Sequence, residues 1–253
     1  MNMQPTISIC VPVFNEAENL PLLYEAIVQV IDPAGISAEI ILVDDGSTDQ
    51  SWRQIEELVS RDARVRGIKF KANRGETAAS DAGLRAARGQ FVMTMDADLQ
   101  NDPKDIPKFI EALRGFDCVC GTRVASRGQG DNFLRVASSR IANWVRNKLS
   151  DEQISDAGCT YRAFRRECVE KLKLYRGLHR FIPTLLKMEG FTVTEIPVTS
   201  HPRLHGQSKY GVWNRLFKSF HDLLAIRWMK SRMLRYEIAS QLDRTTELTE
   251  ISR

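Results

Sequence analysis

Two aspartates stand directly after a short apolar run in the middle of the chain. The segment 91–100 has the sequence FVMTMDADLQ, which places Asp96 and Asp98 at the end of a predicted buried strand. In parallel α/β sheets ligands bind beyond the carboxyl ends of the strands, and side chains two residues apart on an extended segment point the same way. Two carboxylates in such a cleft favour Mg²⁺ or Mn²⁺ carrying a diphosphate over Zn²⁺. An exposed acidic turn explains an isolated pair of this kind equally well.

Two other predicted strands also end in acidic or amide side chains. These residues are Asn15 and Glu16 after the run 7–13, and Asp44 and Asp45 after the run 39–43. Each group alone is explained by helix caps or by a turn. Neighbouring parallel strands open their carboxyl ends on one edge, so the three groups are expected to line one cleft. Carboxylates so close together repel unless a cation or a hydrogen-bonding ligand offsets them, and the pattern therefore predicts a nucleoside diphosphate held on a divalent ion.

The elements that must position these residues alternate along the first half of the chain. Predicted strands occupy residues 7–13, 39–43, 65–70 and 91–95, and the segments between them have the apolar spacing of helices. Asn15 is predicted to cap the first helix, and Ser47 or Thr48 the second. Strands that alternate with helices of about ten residues indicate right-handed βαβ units. The predicted fold class is α/β, a Rossmann-like and mostly parallel sheet flanked by helices.

Beyond residue 100 the chain becomes more basic and its elements less regular. The predicted elements are a helix from Asp102, strands at 117–121, 159–164 and 192–198, a polar loop at 126–132, a basic loop at 201–210, and amphipathic helices at 133–149 and 212–236. We expect a catalytic domain at 1–210, a basic helical segment at 211–240 and a disordered tail at 241–253. The aromatic and basic residues of the last helix suit the surface of an anionic membrane. Packing on the domain or on a partner protein is the alternative.

The composition of the chain restricts its expected cellular location and its expected binding partners. At 253 residues, 43% of them hydrophobic, the chain can bury one full core, and 36 Lys and Arg nearly balance 32 Asp and Glu. Five cysteines without the spacing of a zinc site indicate reduced, buried thiols in a cytoplasmic protein. We identify no signal peptide and no apolar run that could cross a bilayer. The protein is therefore expected to act from the cytoplasmic face of a membrane, peripherally, and no nucleic-acid partner is expected.

Five short motifs occur in an order that is typical of one enzyme family. They are VPVFNE at 11–16, VDDGSTD at 43–49, NRG at 73–75, MDADLQ at 95–100 and GQSKY at 206–210. From about Ile7 to Leu224 the sequence resembles the family 2 glycosyltransferases of GT-A fold, in the branch of the dolichol-phosphate mannose synthases and undecaprenyl-phosphate glycosyltransferases. The resemblance implies inverting transfer of one sugar from a GDP- or UDP-linked donor to a polyprenyl phosphate, with Mg²⁺ or Mn²⁺ as cofactor.

The resemblance also implies roles for individual residues. Those implied to bind the nucleotide-sugar are Pro12, Val13, Phe14, Glu16, Val43, Asp44, Asp45, Arg74, Ala97, Arg203 and Lys209. Those implied to hold the metal are Asp96, Asp98 and Gln100. The acceptor phosphate is assigned to Arg123, Arg135 and Ser139, and Asp156 is placed near the sugar. With Asp96 and Asp98, these last four residues form the expected catalytic set.

The sequence departs from the family pattern at a few positions. Glu76 stands where relatives often carry Lys or Tyr, and Phe14 where Tyr is commoner, so the preferred nucleotide stays open. Many relatives continue into transmembrane helices beyond the position of Leu224, which keeps a separate membrane-anchoring protein among the expected partners. The alternative functions are sugar transfer to a carbohydrate hydroxyl, nucleotidyl transfer, and an inactive membrane-bound scaffold.

Three observations weigh against these alternatives. Polysaccharide synthases that use a hydroxyl acceptor carry Gln-x-x-Arg-Trp, whereas residues 224–228 are LAIRW, and a hydroxyl would also need a general base. A nucleotidyltransferase usually has a glycine-rich phosphate loop near its first strand, and the sequence has none there. The intact pair Asp96 and Asp98 argues against an inactive scaffold.

Overall fold

The computed structural model describes residues 4–124, 154–156, 158–202, 212–234 and 236–240, and for 212–220 the helical backbone alone. The first half of the chain consists of strands that alternate with helices, as predicted. The strands are β1 (Ile7–Val13), β2 (Ala38–Asp44), β3 (Val65–Lys69) and β4 (Phe91–Thr94). The helices between them are α1 (Asn19–Ile31), α2 (Ser51–Arg61) and α3 (Glu76–Ala86).

The second half contributes three strands and four helices among the described residues. In chain order they are α4 (Ile106–Ala112), β5 (Cys118–Thr122), β6 (Arg162–Arg165), α5 (Arg166–Lys171), α6 (Ile182–Met188), β7 (Val193–Pro197) and α7 (Val212–Ser231). Short 3₁₀ helices at Pro103–Asp105 and Leu178–Phe181 precede α4 and α6. The strand expected from residue 159 thus begins at Arg162, and the last helix ends five residues before its predicted end at 236.

These strands form one mixed sheet in the order β3-β2-β1-β4-β6-β5-β7. All neighbouring pairs are parallel except those of β6, which runs antiparallel to both β4 and β5. The register pairs Thr94 at the end of β4 with Arg162 at the start of β6. The reversed strand therefore brings residues 160–162 to the edge of the sheet where β1, β2 and β4 end.

Two apolar layers enclose the sheet because its central strands are buried on both faces. On β1, Ile9 and Val11 belong to the layer that also contains α1, α2 and α4, whereas Cys10 belongs to the layer of α3, α5, α6 and α7. Side chains of a strand alternate between its two faces, which explains this division. All five cysteines are buried free thiols, as predicted. None of the helices in the described part of the chain is long and apolar enough to cross a membrane.

The predicted caps of the first two helices are wrong. Helix α1 has Glu18 at its N-cap and no side-chain cap, while Asn15 has a φ of 56° and its Oδ1 accepts the N–H of Thr48 at 2.8 Å. Helix α2 begins at Ser51, whose N–H donates to Asp49 Oδ1 at 2.9 Å. The polar residues expected to cap these helices instead join the loop after β1 to the loop after β2. The helix predicted at 133–149 and the tail from 241 lie outside the described residues.

Candidate active site

The loop after β4 fixes Asp96 and Asp98 at the tip of the strand. Strand β4 ends at Thr94, so both aspartates lie beyond the strand; Asp98 is part of a turn, and Leu99 after it has a φ of 60°. Asp96 Oδ2 accepts the hydroxyl hydrogen of Thr160 at 2.5 Å, and Asp98 Oδ1 accepts the N–H of Gln100 at 3.2 Å. Asp98 is 6% exposed. Both carboxylates are therefore held in place at the edge of the sheet.

Like charges surround Asp96. Burial, then the charges of Glu76 and Asp98, raise the pKa of Asp96 to about 7, against the opposing effects of Thr160 and Arg123. A nearby cation would offset this repulsion and favour the ionised carboxylate. Among the described residues no three His, Cys, Asp or Glu side chains surround one point.

Asp44, at the end of β2, carries a buried carboxylate oxygen without a partner. Its Oδ1 accepts the N–H of Ser47 at 3.0 Å, whereas no donor from the described residues reaches its Oδ2. The residue is fully buried. A buried acceptor that lacks a hydrogen bond costs free energy, so this atom is suited to a donor on a bound ligand, such as a base N–H or a ribose hydroxyl.

Asp45 differs because both of its carboxylate oxygens are already occupied. Oδ1 accepts the N–H of Arg74 at 2.6 Å, and Oδ2 accepts the N–H of Gly75 at 2.8 Å. Gly46 follows with a φ of 71°, and a Cβ there would lie 2.7 Å from the backbone of residues 72 and 73. The tip of β2 is thus packed tightly against the NRG motif, and the backbone of Arg74 is held by Asp45.

Hydrogen bonds connect the end of β1 to the loop after β2 and to the start of α2. Val13 O accepts the N–H of Asp45 at 2.8 Å, and the N–H of Glu16 donates to Ser51 Oγ at 2.8 Å. The carboxylate of Glu16 accepts a hydrogen bond from the Asn19 amide at 2.6 Å. These contacts bring the predicted nucleotide-binding segments 12–16 and 43–45 together on one edge, next to Ala97, which is 4% exposed.

Arg123, which is partly exposed, forms an ion pair with the buried Asp156. The guanidinium Nε donates to Asp156 Oδ2 at 2.8 Å and Nη2 donates to Oδ1 at 3.1 Å. Burial alone would lower the pKa of Arg123, but the hydrogen bonds and charge of Asp156 outweigh it and raise that pKa. Arg123, expected to contact the acceptor phosphate, therefore also holds Asp156. Four other predicted site residues, Arg135, Ser139, Arg203 and Lys209, lie outside the described residues.

A small pocket, open to solvent, lies beside Asp96 and is lined by side chains that the sequence did not assign to the site. Its polar lining includes Glu76, Thr160, Arg162 and His179, and Pro12 lies at its wall. Thr160 and Arg162 reach it because β6 pairs with β4. No local sequence signal marks these residues, since they come from three separate segments.

His201 connects the last strand to the loop that carries the aspartates. Its Nε2 lies 3.0 Å from Asp102 Oδ2, and its backbone N–H donates to Gln100 O at 3.0 Å. Both hydrogen bonds thus connect His201 to the segment that follows the aspartates. Gln100, implied as a metal ligand, is held through its backbone from both sides, by Asp98 and by His201.

Comparison with known proteins decides the family. Residues 8–173 match the family model described as "Glycosyl transferase family 2". The chain belongs to glycosyl transferase family 2. Within the family it is 37% identical over 225 residues to dodecaprenyl-phosphate galacturonate synthase of Rhizobium johnstonii, covering 87% of this chain and 66% of that protein. It is 34% identical over 220 residues to undecaprenyl-phosphate 4-deoxy-4-formamido-L-arabinose transferase of Aeromonas hydrophila, covering 86% and 66%. The chain thus spans just under two thirds of the length of these relatives.

The fold is also found among solved structures. A mannosyltransferase from Pyrobaculum calidifontis, in complex with GDP-Man and Mn²⁺, superposes with a TM-score of 0.64 at 20% identity, covering 93% of this chain and 67% of that one. At this identity the likeness concerns the fold alone. Together with the mixed, mostly parallel sheet, it confirms the predicted GT-A architecture.

Proposed function

We propose that this family 2 chain transfers one sugar from a nucleotide-diphosphate sugar to a polyprenyl phosphate, with inversion at the anomeric carbon. The observation that carries the proposal is the set of carboxylates at the tips of β2 and β4. Asp96 is opposed by like charges, and Asp44 keeps a buried oxygen for a ligand donor. Two relatives are named for transfer to dodecaprenyl or undecaprenyl phosphate, which supports this acceptor over a carbohydrate hydroxyl.

The chemistry of the donor set fits a divalent cation, Mg²⁺ or Mn²⁺. Asp96, Asp98 and Gln100 would hold it, and it would neutralise the charge that develops on the departing diphosphate. Asp44 accepts a hydrogen bond from the base or the ribose, while the segments around Pro12 and Asp45 position the nucleotide. A phosphate monoester is already anionic at neutral pH, so it can attack the anomeric carbon without a strong general base.

The acceptor phosphate requires cations at the opposite side of the sugar. Guanidinium groups bind phosphate oxygens through paired hydrogen bonds, and Arg123, Arg135, Arg203 and Lys209 are the residues we assign to the acceptor and the diphosphate, with Ser139. Asp156 holds the guanidinium of Arg123 in position through two hydrogen bonds. We place this chemistry in a catalytic domain of residues 1–210.

We further propose that the basic segment 211–240 lies on the cytoplasmic surface of an anionic membrane, where the lipid acceptor resides. Helix α7 packs Leu223 and Ile226 into the second apolar layer. Its other side exposes Leu224 and Trp228, which are 44% and 64% exposed, beside the exposed Arg227. Apolar anchors among basic side chains suit the interface of an anionic bilayer. A separate membrane-anchoring protein would act on the same segment.

The proposed function is tested by transfer of a labelled sugar to polyprenyl phosphate in the presence of Mn²⁺. A thermal-shift panel of GDP- and UDP-linked donors first shows which nucleotide the protein binds, because ligand binding to the native state raises the melting temperature. We expect Asp98→Asn to lower turnover at least about 100-fold, since the charge that holds the cation is halved. Asp81→Asn is the matched control, because Asp81 is an exposed carboxylate of α3 paired with Arg85. Lipid product formed at the wild-type rate by Asp98→Asn would contradict the metal assignment.

A further inference from the structure

The pocket beside Asp96 is lined by charged side chains of both signs, which differ in how exposed they are. Its lining includes the carboxylates of Asp96 and Glu76 and the guanidinium of Arg162. Arg162 is only 2% exposed, and its Nη1 donates to the carbonyl of His179 at 2.6 Å. The side chain of Glu76 is 40% exposed. The charge most accessible from the mouth of this pocket is therefore negative.

Glu76 is held in this position by the elements around it. It is the first residue of α3 and follows Gly75, whose N–H is bound by Asp45 at 2.8 Å. His179 Nε2 lies 3.5 Å from Glu76 Oε1, and His179 Nδ1 lies 2.7 Å from Thr77 Oγ1. Contacts to two separate segments fix the start of α3, so the carboxylate of Glu76 has a defined place at the pocket mouth.

Glu76 and Asp96 line the same pocket, so a group that enters it next to Asp96 meets the carboxylate of Glu76. A further carboxylate brought into the same pocket would meet like-charge repulsion in partly desolvated surroundings. Hydroxyl groups, in contrast, can donate hydrogen bonds to an ionised carboxylate, and such bonds are stronger than those between neutral groups.

The geometry points to Glu76 as a specificity-determining residue, and this inference rests on the proposed function. We propose that its carboxylate contacts the sugar of the bound donor, accepts hydrogen bonds from the sugar hydroxyls, and selects neutral sugars against uronic acids. The chain then differs in donor class from the Rhizobium johnstonii relative, whose name specifies galacturonate. Repulsion of the wrong substrate, together with attraction of the right one, is a common basis of specificity.

The inference is tested with donors that differ only at C6 of the sugar. The pairs are UDP-galactose with UDP-galacturonate and UDP-glucose with UDP-glucuronate, or GDP-mannose with GDP-mannuronate if the panel selects guanine. For the full chain with Mn²⁺ we expect the neutral donor to be preferred at least about tenfold, in competition binding and in kcat/KM. Glu76→Gln should reduce the preference to about threefold or less, and Glu76→Lys should reverse it. Asp81→Asn, on the same helix, should retain the wild-type ratio.

The outcomes separate this inference from the proposed function. Equal use of neutral and acidic donors by the wild type, or a ratio unchanged in Glu76→Gln, overturns the role of Glu76 while leaving sugar transfer intact. Failure of the wild type to bind UDP, GDP or any of these donors in the presence of Mn²⁺ overturns the proposed function and this inference with it. Thermal melting of each variant checks its folding, and Glu76→Ala replaces any variant that does not fold.

Discussion

The adjacent carboxylates of Asp44 and Asp45 have different surroundings, and under the proposed function Asp44 would bind the ligand while Asp45 supports the loop. Asp44 Oδ2 has no donor among the described residues, whereas Asp45 uses both oxygens on the backbone of Arg74 and Gly75. We expect Asp44→Asn to weaken nucleotide binding about tenfold with little change in melting temperature, because it changes an atom that only the ligand satisfies.

Asp45→Asn is the matched variant for this comparison. An amide can accept only one of the two backbone hydrogen bonds, so we expect a loss of about 1–3 kcal/mol in the free energy of unfolding. Titration calorimetry with UDP or GDP and Mn²⁺, combined with urea unfolding of both variants, measures the two effects. Equal losses of affinity and stability in the two variants would contradict the inference that Asp44 binds the ligand while Asp45 supports the loop.

The sequence shows that both residues are acidic and end a strand, but not which oxygens are in use. The donors to Asp45 come from residues 74 and 75, which lie beyond the end of β3. Their approach depends on the pairing of β2 with β3 and on the lack of a side chain at Gly46. Such contacts are set by tertiary structure, so a motif gives the residue type without its hydrogen bonds.

At the scale of the elements, Asp62 joins the end of α2 to α1 and to β3. Its carboxylate accepts the hydroxyl hydrogen of Tyr24 at 2.9 Å, and it forms an ion pair with Arg64 at 2.8 Å. The hydrogen bonds of Arg64, against the effect of burial, lower the pKa of Asp62 to about 2. This group therefore stabilises the fold when it is ionised.

We expect Asp62→Asn to lower the free energy of unfolding by about 1–2 kcal/mol at pH 7, a value discounted for partial exposure. The folded pKa of about 2 lies below the unfolded value of about 3.9, so the stabilisation is full above about pH 5 and is lost as the pH falls toward 2. Urea unfolding at pH 7 and pH 3 should show a difference from the wild type that shrinks by about half at the lower pH.

The control for this prediction is Glu57→Gln, in an exposed ion pair with Arg53 on the same helix. Exposed pairs contribute little, so we expect a change below about 0.5 kcal/mol at either pH. A constant difference between Asp62→Asn and the wild type from pH 7 to pH 3 would show that the lowered pKa does not stabilise the fold.

The sequence predicted most elements of the first half but placed their caps wrongly. Apolar runs give β1, β2 and β4 because each is buried, and buried strands have a strong compositional signal. Strand β3 lies at the edge of the sheet and is buried only at Val65. The residue Asn15 matched the preference for an N-cap, but its side chain accepts a hydrogen bond from Thr48 in the next loop. Local capping preferences cannot anticipate that two loops at one sheet edge bind each other.

At the scale of the whole molecule, the insertion of β6 between β4 and β5 determines what faces Asp96. Alternating strands and helices predict a parallel sheet, and nothing in the local pattern of residues 159–164 indicates a reversed strand between two others. The pairing of Thr94 with Arg162 brings Thr160 to Asp96 and completes the pocket with His179 from a third segment. The motifs thus predicted that the ends of β1, β2 and β4 meet at one edge, while the opposite wall of the pocket depended on long-range pairing.

Helix α7 relates the catalytic edge to the surface on which the acceptor would lie. Its buried side, Leu223 and Ile226, belongs to the same apolar layer as Leu178 and Phe181, next to the pocket residue His179. A membrane bound to the exposed side would therefore lie at a fixed distance from the pocket, because the helix is packed on the domain by its other side. The position of the domain on the lipid surface would then determine whether the pocket can reach the phosphate of a lipid acceptor.

This arrangement predicts that Trp228→Ala weakens binding to vesicles about tenfold without changing nucleotide affinity. Trp228 is 64% exposed, and removing an aromatic side chain from the bilayer interface loses its apolar contact area. Sedimentation of the full chain with phosphatidylcholine vesicles, with and without phosphatidylglycerol, measures the effect. The basic residues Arg227, Lys230 and Arg232 make the binding sensitive to salt, so it should fall between 0.1 and 1 M, where the screening length drops from about 10 to about 3 Å.

Phe116→Ala is the matched control, because Phe116 is an exposed aromatic residue, 40% accessible, between α4 and β5. It should bind vesicles like the wild type if contact is confined to α7. Binding of the wild type to neutral vesicles as strong as to anionic ones, or equal losses in the two variants, would mean that the basic helix does not contact the lipid. Since nucleotide affinity is measured on the same samples, a loss confined to vesicle binding would place the membrane contact on α7 and leave the catalytic edge unaffected.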